Sequence, residues 1–316
     1  MVAAVGAVFL PFLLFGCHIV PFHLEWGSAT GIPNGGDTAA MAHPGRWTDS
    51  SPVVVHYPNA ALVGEALRHG ELPTWNPYVG CGEPGLGNGQ MYPFSPFLWP
   101  FYLAPTPWSF TLGLMLGCLW GAAGAYFWLG RFPLAAWQRA FGACLIVINP
   151  TTVRVMVYSN VWAAWWFGWL LWSWDRTARR GGRCWWLPAL FVAGMVYSGH
   201  PETALLLSAV SLLYGIAVRY LLPREERTEA FWLKALGISG LAGLLSGVHW
   251  MPVLGRWGEA LSYKSLLPEL ATRGRYGFVD LVNPRSDIYM GVALACLVAL
   301  GMASARDRRL WPSVGL

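Results

Sequence analysis

Several stretches of this chain are apolar for longer than the helix of a soluble domain requires. Residues 108–129 (WSFTLGLMLGCLWGAAGAYFWL) contain no Asp, Glu, Lys or Arg, and residues 231–254 contain only Lys234 among charged side chains. A spanning helix needs roughly 20 mostly apolar residues, and both segments meet that length. Charge is scarce elsewhere too. Of the 316 residues 12% are charged and 55% hydrophobic, whereas a soluble domain is about 25% charged. Twenty Trp residues and a mean hydropathy of +0.42 point the same way, to an all-α polytopic membrane protein.

The same apolar signal recurs along the chain and predicts about eight transmembrane helices. The first covers residues 2–22, with no basic residues ahead of it and no small-residue cleavage site after it, so it reads as a retained helix and not a signal peptide. A polar loop occupies 23–96. The second to seventh helices lie within 97–254, at about 108–129, 140–158, 161–174, 185–197, 203–222 and 231–254. The third and fourth are short, so one of them reads as tilted or broken. A second polar loop covers 255–287. Residues 288–316 hold the last helix and a cytoplasmic end. The chain stops at WPSVGL, where a further apolar segment could begin, and it reads as the N-terminal portion of a longer protein. Within the first loop, residues 59–69 (NAALVGEALRH) have apolar positions at helical spacing, which suits a short helix lying along the interface.

Basic residues orient the ladder. With the first loop outside, the inner connections carry Arg131 and Arg139, then Arg176, Arg179, Arg180 and Arg183, then Arg219, Arg224, Arg227 and Lys234, and finally Arg306, Arg308 and Arg309. That is the cytoplasmic bias expected of short loops, and topology accounts for these clusters. The formal net charge of +5 is therefore no nucleic-acid signal. The cysteines form no CxxC pair, and all but Cys81 fall in or beside apolar segments, so neither a disulfide framework nor a zinc site is indicated. No P-loop, GxGxxG or HExxH occurs, which leaves a nucleotide site without support.

Chemistry concentrates at the outer face. Acidic residues there, Glu83 among them, read individually as solvated loop residues. Asp49 stands ahead of His56 and Tyr57. A carboxylate near an imidazole can serve as a general base or hold a divalent metal. Asp37, in NGGDT, is the rival carboxylate. The stretches LPTWNP and GNGQMYP bring Trp75, Asn76, Asn88, Gln90 and Tyr92. Amides can bond sugar hydroxyls and rings can cover a sugar's apolar face; belt aromatics at the interface are the alternative for Trp75 and Tyr92. SGHPE places His200 and Glu202 at the end of a span, where charge is costly unless it faces a wet cavity. A plain solvated turn is the alternative. His249, Arg256 and Glu259 sit near the outer end of the seventh span, and an outside arginine such as Arg256 or Arg273 could pair with a lipid phosphate.

These pieces together resemble the YfhO-like family of bacterial membrane proteins, itself similar to the GT-C glycosyltransferases. The matching motifs are HYP at 56–58, GELPTWNPYVGCGEP at 70–84, NGQMYPFSP at 88–96, SGHPETALL at 198–206 and VHWMPVLGRWGEALSYK at 248–264. The resemblance implies a GT-C-like fold with an extracytoplasmic first loop, set in the bacterial inner membrane. It implies a polyprenyl-phosphate-linked sugar donor and an envelope glycan, lipid or protein as acceptor. An acidic residue early in the loop would act as base or ligand to a divalent metal (Mg or Mn). That role falls on Asp49, with the interval to HYP looser than in the family, so Asp37 stays open. His56 and Glu202 would join it as catalytic groups. Tyr57, Trp75, Asn76, Asn88, Gln90, Tyr92, His200 and Arg256 would hold donor and acceptor. A flippase of lipid-linked glycans and a non-catalytic envelope scaffold are the rival functions.

Overall fold

The computed structural model describes residues 1–14, 55–79, 82–149, 152–153, 156–179, 184–198 and 200–255. Asp37, Asp49 and Arg256 lie outside the described residues, as do nearly all of the second loop and the last expected span. The described chain is mostly helical. Helix α1 covers Val2–Leu14, α2 Tyr57–Arg68, α3 Trp99–Leu103, α4 Pro107–Leu129 and α5 Ala136–Val147. Helices α6 (Ser159–Ala164), α7 (Phe167–Ala178), α8 (Leu187–Tyr197), α9 (Pro201–Leu221) and α10 (Phe231–Gly255) follow. A two-stranded antiparallel pair, β1 (Trp75–Asn76) and β2 (Glu83–Pro84), sits in the loop between α2 and α3.

Three of the described helices, α4, α9 and α10, are long and apolar enough to cross a membrane. Their outward faces are compatible with a bilayer: Leu205 and Leu233 are 69% and 73% exposed, and Leu244 is 80% exposed. The start of α4 is set by local chemistry. Thr106 caps it, accepting from the Ser109 backbone N–H at 3.1 Å, while Ser109 Oγ accepts from the Thr106 N–H at 3.1 Å. Pro107 occupies the first turn, where its missing donor costs nothing.

The third and fourth expected spans are built differently from the apolar pattern. Helix α5 ends at Val147, two helical residues stand at 152–153, and α6 begins at Ser159. Asn149 precedes a proline, a position pushed away from helical backbone. Its side chain caps the following turn instead, accepting from the Thr152 N–H at 2.9 Å. The fourth segment is divided into α6 and α7 by a turn at Trp165 and Trp166. These neighbouring rings wedge against different helices. Trp165 lies on Gly117 and Gly121 of α4, and Trp166 lies on Gly194 of α8.

A stripe of small residues makes this possible. Gly113, Gly117, Gly121 and Gly124 share one face of α4, and a Cβ at Gly117 would stand 1.9 Å from the Trp165 ring. At Gly168 of α7 a Cβ would reach the Ala125 backbone N at 2.5 Å, so the two helices touch main chain to main chain. Between apolar helices in lipid, close packing and hydrogen bonds replace the hydrophobic drive. Trp162 Nε1 closes a local bond to the Met156 carbonyl at 2.8 Å, and two indoles bond between helical segments: Trp169 Nε1 to the Trp120 carbonyl and Trp166 Nε1 to Ser198 Oγ, both at 2.9 Å. Each is worth about 0.6 kcal/mol, up to ~1.7 kcal/mol.

Helices α4, α7 and α9 run in the same direction. Their C-terminal ends meet where Arg131 pairs with Asp175 at 3.5 Å and Arg179 pairs with Glu226 at 3.1 Å. Their N-terminal side carries the 75–98 loop, and Gly89 touches Pro201 at the start of α9. The bundle thus has an arginine-rich end and an opposite end covered by the first loop.

Candidate functional site

At the loop-covered end, α2 follows the sequence expectation for a helix at 59–69 within two residues at its start. Its buried side, Asn59, Ala60, Val63 and Gly64, lies on protein. Gly64 passes the Tyr102 backbone so closely that a Cβ would stand 3.2 Å from its Cα. Arg68 locks the far end, donating from Nη1 to the Tyr102 carbonyl at 2.8 Å. Tyr57 stacks edge-on against Phe101 and Phe110, with centroids 5.0 and 5.3 Å away. Tyr57 is thus engaged in the aromatic core between α2, α3 and α4.

His56 stands just before α2 and is 4% exposed. Its Nδ1 bonds the Tyr92 hydroxyl at 2.6 Å, and the Tyr158 and Trp162 rings pack on it at 5.6 and 6.0 Å. Tyr92 is itself fully buried, and Tyr102 donates from its hydroxyl to the Tyr92 carbonyl at 2.6 Å. Burial pushes both phenols above their ordinary value of 10.0, because an apolar surround disfavours the phenolate. They therefore work here as neutral hydroxyls. The pair Tyr92–His56 joins residues 36 apart in sequence, and it ties the end of the loop to the entry of α2.

Above this buried layer the loop gathers amides. Asn59 Nδ2 donates to the Gln90 carbonyl at 3.4 Å, a long bond that still fixes α2 to the turn. Asn88 Nδ2 donates to Glu83 Oε1 at 3.1 Å, and Asn88 Oδ1 accepts from the Gln90 N–H at 3.0 Å. Asn88 thus spends both ends of its amide on shaping the loop around a carboxylate. Glu83 is held by Asn88 and is more than a solvated loop residue; the strand register that sets it opposite Asn76 left no signal in the sequence. Asn76 is 3% exposed, and its Oδ1 accepts from the Tyr78 N–H at 3.1 Å in a local turn. Trp75, by contrast, is 54% exposed. Its ring lies over Gly82, whose φ is +107° and whose Cβ, if present, would sit 2.4 Å from the indole. Only glycine meets both demands.

The start of α9 completes this end. His200 caps the helix: its Nδ1 accepts from the Thr203 N–H at 3.2 Å and lies 2.7 Å from Thr203 Oγ1. Glu202 is an exposed carboxylate in the first turn, where the helix dipole favours negative charge. His249 of α10 is buried beside the Gly89 backbone, with Tyr197 edge-on at 6.4 Å. The fold therefore brings His56 to Tyr92, Asn88 to Gln90, and His200 and His249 to the Gly89 turn. Among the described residues no three His, Cys, Asp or Glu side chains gather in a way that could hold a metal ion. Asp49, the metal ligand expected from the sequence, lies outside them. No protein-family model, curated protein or solved structure matches this chain.

Proposed function

We propose that this protein is an integral membrane glycosyltransferase of the GT-C type, moving a sugar from a polyprenyl-phosphate donor to an envelope acceptor. The observation that carries this is the exposed Trp75 indole, braced on Gly82, in the same short strand pair as Glu83 and its Asn88 partner. An open indole face covers a sugar's apolar side, and the Glu83 carboxylate, held in place by Asn88, accepts from its hydroxyls. Asp49, or Asp37 in its place, deprotonates the acceptor or orients a divalent metal, and an arginine such as Arg256 offsets charge on the leaving phosphate. His56 and Tyr92 hold the floor of this site, and His200 and Glu202 form its wall at the start of α9.

Transfer of labelled sugar from a polyprenyl-phosphate pool in membranes tests this, with wild type beside Asp49→Asn, Asp37→Asn and Trp75→Ala. Transfer by wild type that is lost in one carboxylate variant, and reduced in Trp75→Ala at unchanged expression, is the result expected. Transfer unaffected by either carboxylate change would sink the base assignment. One observation favours the flippase alternative: the turn at Trp165 and Trp166 divides a helical segment inside the bundle, and broken helices are a device of transporters. Labelled lipid that crosses the bilayer without any sugar transfer would put that function ahead. Absence of both activities would favour an envelope scaffold.

A further inference from the structure

The arginine-rich end holds a cavity of about 390 Å³ between the C-terminal ends of α4 and α7. Its lining includes Arg131, Arg176 and Arg179 against a single carboxylate, Asp175. Asp175 is shared between Arg131 at 3.5 Å and Arg179 at 3.3 Å, and Arg179 also reaches Glu226 at 3.1 Å. Arg176 is placed differently. Among the described residues no carboxylate pairs with it; its guanidinium lies over the Trp172 ring, 4.7 Å from the centroid. The cavity thus keeps positive charge in excess after its internal ion pairs are made. Its remaining wall is aromatic: Phe127, 48% exposed, continues the lining on the outer flank of α4.

Inside-positive topology explains why arginines collect at this end. It does not explain why three of them enclose a cavity with an indole floor. A guanidinium presents paired N–H donors that match two phosphate oxygens at once, and basic pockets between membrane helices are where acidic headgroups bind. We propose that this cavity binds a phosphate-bearing anion, either the headgroup of an acidic phospholipid or a free phosphate ester. Arg176 is the donor that its internal pairs leave available, and Trp172 and Phe127 cover the apolar part of the ligand. The site lies at the end of the bundle opposite the proposed sugar site, so it stands or falls independently of that function.

The test is native mass spectrometry of the purified full chain, titrated with phosphatidylglycerol, with phosphatidylcholine, whose phosphate is offset by its own choline cation, as the net-neutral control. Arg176→Gln removes the available donor. Arg224→Gln removes the same charge at the same end without touching the cavity lining. Arg176→Gln should weaken phosphatidylglycerol binding about fivefold, the effect of one cation near a membrane surface. Arg224→Gln should leave it unchanged, and phosphatidylcholine should show no dependence on either residue. Arg176→Lys keeps the charge but not the fork and should fall between. Equal losses in both glutamine variants would mean diffuse charge attraction and would overturn the site, as would no loss in either. Inorganic phosphate separates the two sources: competition at millimolar concentration assigns a free phosphate ester, and lack of competition assigns the lipid headgroup.

Discussion

Replacing Gly117 by Ala should destabilise the bundle, although alanine is the better helix former. The added Cβ would stand 1.9, 2.1 and 2.7 Å from three ring carbons of Trp165. Ordinary carbon contact begins near ~3.5 Å, so the ring would have to retreat by about 1.6 Å. It has little room to do so. Trp165 is 3% exposed, and Phe97 meets its ring edge at 5.3 Å. Overpacking of this kind costs about 1–3 kcal/mol, set against a gain of ~1 kcal/mol from replacing glycine inside a helix. Gly240→Ala in α10 is the matched control, because nothing among the described residues lies within 4 Å of its Cβ position. The propensity gain is common to both variants, so their difference isolates packing and should be about 1–3 kcal/mol in favour of Gly240→Ala. Thermal unfolding of the full chain in detergent, followed by the monomer peak in size exclusion, reads that order. A Gly117→Ala protein that melts with or above Gly240→Ala would refute the seating of Trp165 on α4.

Tyr92→Phe removes the 2.6 Å bond to the buried His56 ring and should lower stability by about 1–3 kcal/mol; unchanged melting would mean that the pair does not tie the loop to α2. Gly82→Ala forces a side chain to φ +107° and into the Trp75 indole. The strained backbone should lower stability by about 1–3 kcal/mol, and sugar transfer should fall in the protein that stays folded; retained transfer would separate Trp75 from substrate. Tyr92 and Tyr102 have phenol pKa values raised by burial above 10.0. Above pH ~10 the unfolded chain therefore releases protons that the folded chain keeps. Their contribution is fully present below that value and is lost as pH rises past it. Melting temperature should fall on the alkaline side, less steeply in Tyr102→Phe, and a flat profile to pH ~11 would argue against burial of these phenols.

The long elements were legible from local pattern. Apolar runs at 108–129, 203–222 and 231–254 correspond to α4, α9 and α10 with ends displaced by no more than two residues, since unbroken apolar length is itself the signal. For the third and fourth spans, whose shortness already suggested that one is tilted or broken, the place of the break was not. Hydropathy continues through Trp165 and Trp166, and only their seats on Gly117 and Gly194, in other helices, show why the chain turns there. The glycine spacing at 113, 117, 121 and 124 was open to view as a small-residue stripe, but its partner ring was not.

At the loop-covered end the residue types were readable and their partnerships were not. His56, Tyr92, Asn88 and Gln90 stand out in a chain with few polar groups. Nothing local says that His56 bonds Tyr92 across 36 residues or that Asn76 is buried, whereas the His200 cap is local, three residues from Thr203 and just ahead of Pro201. Glu83 gains its place only through the strand pair that sets it opposite Asn76.

By itself the sequence determined where the three described helices long enough to span a membrane lie, and where arginine collects along the chain. Both follow from composition within a short window, because length in hydrocarbon and charge at its edge are local costs. Only the tertiary structure decided which rings break a helix, which polar groups are consumed in tying the loop down, and that Arg131, Arg176 and Arg179 enclose one cavity. Those outcomes depend on contacts between residues tens of positions apart, whose energies exist only once the helices have packed.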